Sequence, residues 1–282
     1  MASGIVSKVV RGVVAFLVAA LISLAIVAVG QGLWQPLVIA NMRLHPEIPW
    51  AAPTMAMLLA GMLLYLSGRG WPSRTRSRRR MLFRWNSMRL PVFFLAVGAG
   101  VLGLAAFGGL WIALSDLTSI PPGIQPRITG VPLPTVISFL IMSALAAPLT
   151  EEAAFRGYAM GILQKAWGWA PAAIVGSTVL FAAVHVTQGL DAVKLGLYFA
   201  AGLIFATVAY LTNSLYAAMV VHSVGDVLGF TVLWPHDQAP HGMGFDDPMF
   251  APALAALAIF TPLAILAFRK LADVGQAEAS LI

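Results

Sequence analysis

Residues 134–167 read PTVISFLIMSALAAPLTEEAAFRGYAMGILQKAW, and the reading of this stretch decides the fold. Glu151 and Glu152 stand side by side at the end of an apolar run. If the helix stopped there, the pair would sit at a membrane surface. If it continues through FRGYAMGILQKAW to the turn Gly168-Trp169-Ala170-Pro171, both carboxylates lie at bilayer depth, and Lys165 snorkels to the interface. An ionisable side chain at that depth costs at least about 2.5 kcal/mol on insertion scales, so two adjacent ones mark a functional site by default.

Working outward, the composition places this stretch in lipid. Hydrophobic residues make up 60% of the 282-residue chain and charged residues 10%, with a mean hydropathy of +0.87. Such values exclude an ordinary soluble domain. A span of about 30 Å of hydrocarbon takes about 20 helical residues. Apolar stretches of that order fall near 12–34, 50–67, 91–115, 133–150, 170–189, 195–212, 215–233 and 250–268. The expected fold is all-α: a polytopic transmembrane helical bundle of about eight helices.

The basic residues orient it, because Lys and Arg are retained on the cytoplasmic side. With the N-terminus inside, the cytoplasmic segments hold Lys8, Arg11, Arg69, Arg74, Arg76, Arg78, Arg79, Arg80, Arg84, Arg89, Arg156, Lys165, Arg269 and Lys270. Only Arg43, Arg127 and Lys194 of the 17 basic residues fall outside. Both termini are therefore expected in the cytoplasm, in a multi-pass protein of the plasma membrane. The sequence pI of about 10.1 is mostly a topology signal.

Several features carry less than they offer. The loop GRGWPSRTRSRRRMLFR at 68–84 reads as a topogenic segment touching anionic headgroups, and no nucleic-acid partner is expected. Gly98, Gly100 and Gly103 spell G-x-G-x-x-G inside a long apolar helix, without the strand that a dinucleotide site requires. The first apolar run exceeds a signal-peptide core and reads as an uncleaved span. The chain has no cysteine, so disulfides and thiolate metal sites are excluded. The outer loop PHDQAPHGMGFDDP, with His236, His241, Asp246 and Asp247, can bind a metal or gate a site. As a polar Gly/Pro segment it reads first as a solvated loop.

Outside the loops, the ionisable residues at membrane depth are Glu151, Glu152, Arg156, His185, His222 and Asp226. Glu152 and Arg156 are four apart and share a helix face as an ion pair. His222 with Asp226 and Phe181 with His185 have the same spacing. Glu151 lies 17 residues before Gly168 and His185 lies 17 after it. At about 1.5 Å rise per residue, both are expected roughly 25 Å from that turn on opposite arms of one hairpin. Gly157 with Gly161 and Gly225 with Gly229 are small-xxx-small pairs that permit close helix approach.

Two carboxylates, two imidazoles and a further carboxylate around a pocket suit hydrolysis. A glutamate beside a histidine can take a proton from water, and His and Asp can serve a developing oxyanion, the Asp only when protonated. Alternatively, His185, His222 and one or two carboxylates hold a divalent metal that activates the water. Two readings compete: a proton-coupled transporter, since Glu, His and Asp also form proton relays, and a non-catalytic scaffold or immunity-type membrane protein.

EEAAFRG at 151–157, FAAVH at 181–185 and HSVGD at 222–226 resemble, in order and spacing, the EExxxR, FxxxH and Hxxx(N/D) motifs of the type II CAAX prenyl endopeptidase and bacteriocin-processing family of intramembrane proteases. The resemblance implies cleavage of a membrane-associated protein or peptide, prenylated or not, with the bilayer as the other partner. It implies that Glu151 and His185 activate the water and that His222 and Asp226 line the oxyanion site. Glu152, Arg156 and Phe181 support them. The mechanism is glutamate-type or metallo-type. No cofactor is favoured, because no HExxH-type pair is present. Zinc is the open alternative, with Glu151, His185, His222 and Asp226 as its ligands. The chain is read as one integral membrane domain, 1–282: N-terminal helices without motifs over 1–132, a protease motif core over 133–233, and an outer loop, last helix and tail over 234–282. Nothing ties the first three helices to catalysis. The oligomeric state is left open.

Overall fold

The computed structural model describes residues 2–118, 128, 130–238 and 242–279, which leaves Arg127 and His241 outside the described residues. These residues form helices and turns, with no strand among them. The helices are α1 (Ala2–Leu44), α2 (Ala51–Leu66), α3 (Arg76–Leu82), α4 (Leu90–Thr118), α5 (Leu133–Glu152), α6 (Met160–Trp167), α7 (Ala170–Val184), α8 (Ala192–Thr212), α9 (Leu215–Leu228), α10 (Trp234–Gln238) and α11 (Phe250–Ala279). Seven helical stretches among the described residues are long and apolar enough to cross a membrane. The span expected near 50–67 is the shorter α2, with 16 residues, or about 24 Å at 1.5 Å per residue.

The deciding stretch does continue past the glutamates. α5 runs into a π-helical turn, Ala153–Ala159, and on into α6, so that Leu133–Trp167 forms one apolar stretch of 35 residues. Gly168 then ends it in the left-handed conformation, φ 67°, which a residue without Cβ adopts at little cost. Pro171 follows in the first turn of α7, where its missing N–H is not needed. The second expected turn is also present. Asn213, φ 45°, closes α8, and the Ser214 hydroxyl accepts a hydrogen bond from the Tyr216 N–H at 3.4 Å to open α9.

Contacts divide the chain into two compact units, Met1–Asn86 with Arg127–Phe181, and Ser87–Pro126 with Ala182–Ile282. The motif segment 133–233 is thus shared between the units. In the first unit Trp34 and Val38 of α1, Met55 of α2 and Ala146 of α5 form a buried apolar cluster. Asn41, buried at the end of α1, ties the turn to α2: its amide donates to the His45 and Ile48 carbonyls and its oxygen accepts from the Ala51 N–H, each at 2.8 Å. The arginine-rich loop is more than a topogenic tether. Arg79 is buried, donates to the Gly70 carbonyl at 2.6 Å and lies 4.5 Å over the Tyr65 ring. Arg84 is likewise buried and donates to the Gln164 side chain at 2.8 Å.

In the second unit α4 packs against α8, α9 and α11. A Cβ at Gly109 would stand 2.4 Å from the Ala253 carbonyl oxygen, so glycine is what lets α4 and α11 touch backbone to backbone. The G-x-G-x-x-G run serves the same purpose. A Cβ at Gly100 would meet Val221 of α9 at 2.4 Å, one at Gly103 would touch Ile204 at 3.4 Å, and one at Gly98 would meet nothing within 4 Å. Of the two small-xxx-small pairs, Gly157 abuts Phe83 and Gly225 abuts Phe205 and Leu104, while Gly161 and Gly229 have open space.

Candidate active site

In the first unit the motif begins where α5 gives way to the π-helical turn. Pro148 inside α5 cannot supply an amide to the carbonyl four residues back, and the Thr150 hydroxyl donates to the Ala147 carbonyl at 2.9 Å. A π-helical turn widens the backbone, and such turns recur at functional sites. Here it holds Ala153 to Ala159 and with them Arg156. The Ser23 hydroxyl of α1 donates to the Ala154 carbonyl inside this turn at 3.1 Å.

The two glutamates part company as the sequence implies. Glu152 is fully buried, and its Oε1 accepts from Arg156 NH1 at 2.9 Å. The Arg156 guanidinium, also fully buried, lies 4.3 Å over the Phe181 ring, and Phe155 meets Phe181 edge-on at 5.6 Å. A buried ion pair keeps its charges only with such good geometry and company. Phe181 thus binds the second motif to the first through a cation–π contact. Glu151 remains slightly open, at 8% exposure, and its Oε1 accepts a hydrogen bond from Gln31 of α1 at 3.1 Å. Gln31 in turn accepts from Gln35 at 2.8 Å.

The sequence ties none of the first three helices to catalysis, and the structure adds a direct hydrogen bond from α1 to a motif residue. Beyond Gln31, a Cβ at Gly30 would lie 2.2 Å from Thr150 Cγ2, so glycine brings α1 hard against the residue preceding Glu151. The signal was legible: Gln31 and Gln35 are polar residues inside an apolar span, and such residues serve interhelical hydrogen bonds.

The second unit carries the imidazoles, each laid on an aromatic face. His185 opens a 3-10 turn, His185–Gln188, after α7. Its ring stacks on Tyr198 of α8 at 4.1 Å and 25°, and the Tyr198 hydroxyl donates to Gln188. His222 of α9 is buried and stacks on Phe205 of α8 at 4.2 Å and 16°. Its Nε2 lies 3.6 Å from Asp226 Oδ1, an ion-pair separation rather than a hydrogen bond. Sequence reasoning passed over Tyr198 and Phe205, because an aromatic residue in an apolar helix looks like any other core residue.

The structure therefore joins Glu152, Arg156 and Phe181 in one unit, and His222 with Asp226 in the other. Among the described residues, His185, His222 and Asp226 do not present three ligand atoms within 4.8 Å of one another. The outer loop also departs from expectation. Asp246 is exposed, but His236 and Asp247 are buried, where a solvated loop was expected.

Residues 133–228 match the family described as type II CAAX prenyl endopeptidase Rce1-like. All three motifs lie inside the matched segment. No curated protein and no solved structure matches the chain. The match supports a membrane-embedded CAAX-type endopeptidase in general terms.

Proposed function

We propose that this protein, whose residues 133–228 match the type II CAAX prenyl endopeptidase Rce1-like family, hydrolyses a peptide bond of a membrane-associated protein or peptide, with a water activated by Glu151 and His185. The observation that carries this reading is the family match spanning all three intact motifs. The equal count of 17 residues from Gly168 supports pairing Glu151 with His185, and the separate engagement of Glu152 by Arg156 supports Glu151 as the base.

In the proposed reaction Glu151 takes a proton as the water oxygen bonds to the scissile carbonyl carbon. The charge that develops on the carbonyl oxygen falls to His222, a donor through a ring N–H. The C–N bond then breaks, and the proton held by the Glu151–His185 pair passes to the departing amine, leaving a carboxylic acid and an amine. An ionised Asp226 would repel the oxyanion. Its position 3.6 Å from His222 Nε2 supports a different part, orienting that imidazole.

The test is cleavage of membrane-bound reporter peptides by the purified protein, with prenylated and unprenylated CAAX ends compared side by side. Glu151→Gln and His185→Ala are each expected to slow cleavage by about 100-fold or more, the usual weight of a general base. Asp226→Asn is expected to keep a measurable rate. Full activity in both Glu151→Gln and His185→Ala would sink the assignment, and flux of a solute without cleavage would favour a transporter.

A further inference from the structure

A second constellation lies in the second unit and contains no motif residue. Asp116 near the end of α4, His236 of α10 and Asp247 just before α11 each present a ligand atom within 4.8 Å of the other two, and all three are buried. His236 Nε2 is 3.3 Å from Asp116 Oδ1 and 3.8 Å from Asp247 Oδ2. Two nitrogen or oxygen ligands on one tetrahedral zinc, at bonds of about 2.0 Å, stand roughly 3.3 Å apart. The His236–Asp116 pair is therefore at coordination spacing as it stands, and Asp247 offers a ligand atom within 4.8 Å of both.

The far side of the ring carries an independent observation. His236 Nδ1 faces Asp237 Oδ1 at 3.9 Å. Asp237 is itself buried and held: Trp111 Nε1 donates to both its oxygens at 3.0 and 3.1 Å, and the Ser115 hydroxyl donates to Oδ1 at 2.9 Å. A carboxylate behind the ring nitrogen that does not bind metal is the usual way a protein orients a ligating histidine. With its Nδ1 side turned toward Asp237, His236 would aim Nε2 at two carboxylates, an arrangement suited to holding a cation between them.

Charge accounting leads to the same place. Lys194, buried in the first turn of α8, interacts electrostatically with Asp237 and Asp191. Asp116 and Asp247 are two buried carboxylates around one imidazole. Burying such charges costs several kcal/mol per ion unless they are paired or ligate a metal.

We propose that Asp116, His236 and Asp247 form a binding site for one zinc-class divalent cation, which fastens the ends of α4 and α10 to the start of α11. Two oxygens and one imidazole suit zinc or another first-row ion, and water completes the shell. The site also backs the motif. Asp237 holds Trp111, Trp111 meets Tyr198 edge-on at 5.8 Å, and Tyr198 carries His185.

The experiment is metal analysis and titration of the purified full chain with zinc chloride, with thermal unfolding as a readout that needs no activity. The expected result is one zinc per chain, with Tm raised by roughly 5 °C at saturation and lowered again by chelator. Affinity should fall by about 100-fold in Asp247→Asn and in Asp116→Asn, and stay unchanged in His222→Ala and Glu151→Gln. X-ray absorption of the zinc-loaded wild type, which needs no variant to fold, should show one imidazole among oxygen ligands. A wild type that binds no stoichiometric zinc overturns the proposal. So does zinc that survives Asp247→Asn and is lost in His222→Ala, which would move the metal to the motif residues.

Discussion

The two units hold their motif residues by different physics. In the first, charge is matched by charge: Glu152 and Arg156 are both fully buried at 2.9 Å, and Arg156 rests on Phe181. In the second, imidazoles are held by aromatic faces, His185 on Tyr198 and His222 on Phe205. A carboxylate or guanidinium needs an opposite charge to persist away from water, whereas an imidazole is content with a ring and one polar neighbour. The units also share a device. Each seats a glycine against the residue just before a motif residue, Gly30 against Thr150 ahead of Glu151 and Gly100 against Val221 ahead of His222.

The sharpest break in the comparison is removal of one charge from each unit. Glu152→Ala removes from fully buried Arg156 the carboxylate 2.9 Å away and is expected to destabilise the fold by about 3–5 kcal/mol. Asp226→Asn, at a side chain 21% exposed, should cost under about 1 kcal/mol. Unfolding in mixed detergent micelles measures both, and equal losses would show that the units do not differ in this way.

Next come the glycines, where the units should behave alike. Gly30→Ala and Gly100→Ala are each expected to cost about 1–3 kcal/mol by overpacking, because Thr150 and Val221 are β-branched and stiff. Trimming the neighbour, as in Gly30→Ala with Thr150→Ser or Gly100→Ala with Val221→Ala, should recover most of that loss. Gly98→Ala, which meets open space, should instead stabilise its helix by up to about 1 kcal/mol. Matching Tm losses at Gly98 and Gly100 would contradict the close-approach account.

The smallest effect sharpens the link between α1 and Glu151, the base of the proposed reaction. Gln31→Leu removes the donor at 3.1 Å from Glu151 and is expected to lower kcat about tenfold, the equivalent of roughly 1.4 kcal/mol. Tm should hardly move, because the site is at the edge of the packed interior. A larger fall in Tm than in kcat would make Gln31 a packing residue.

Much of this protein is legible from its residues one segment at a time. The spans, the turns at Gly168 and Asn213-Ser214, the Glu152–Arg156 pair and the His222–Asp226 pair all follow from local rules: apolar length, left-handed turn residues, and the i, i+4 helical face. Glu151 was separated from Glu152 by the same rule. What no local rule reaches is the partner supplied from far along the chain. Gln31 meets Glu151 across 120 residues and Trp111 meets Asp237 across 126. Tyr198 and Phe205 look apolar until an imidazole lies on them. The outer loop is the clearest case. Its polar, Gly/Pro-rich composition reads as solvated, and composition reports average preference, whereas burial depends on which helices close over a segment. Only the tertiary structure, by drawing Asp116, His236 and Asp247 from three elements to within 4.8 Å of each other, could decide that those charges are buried together.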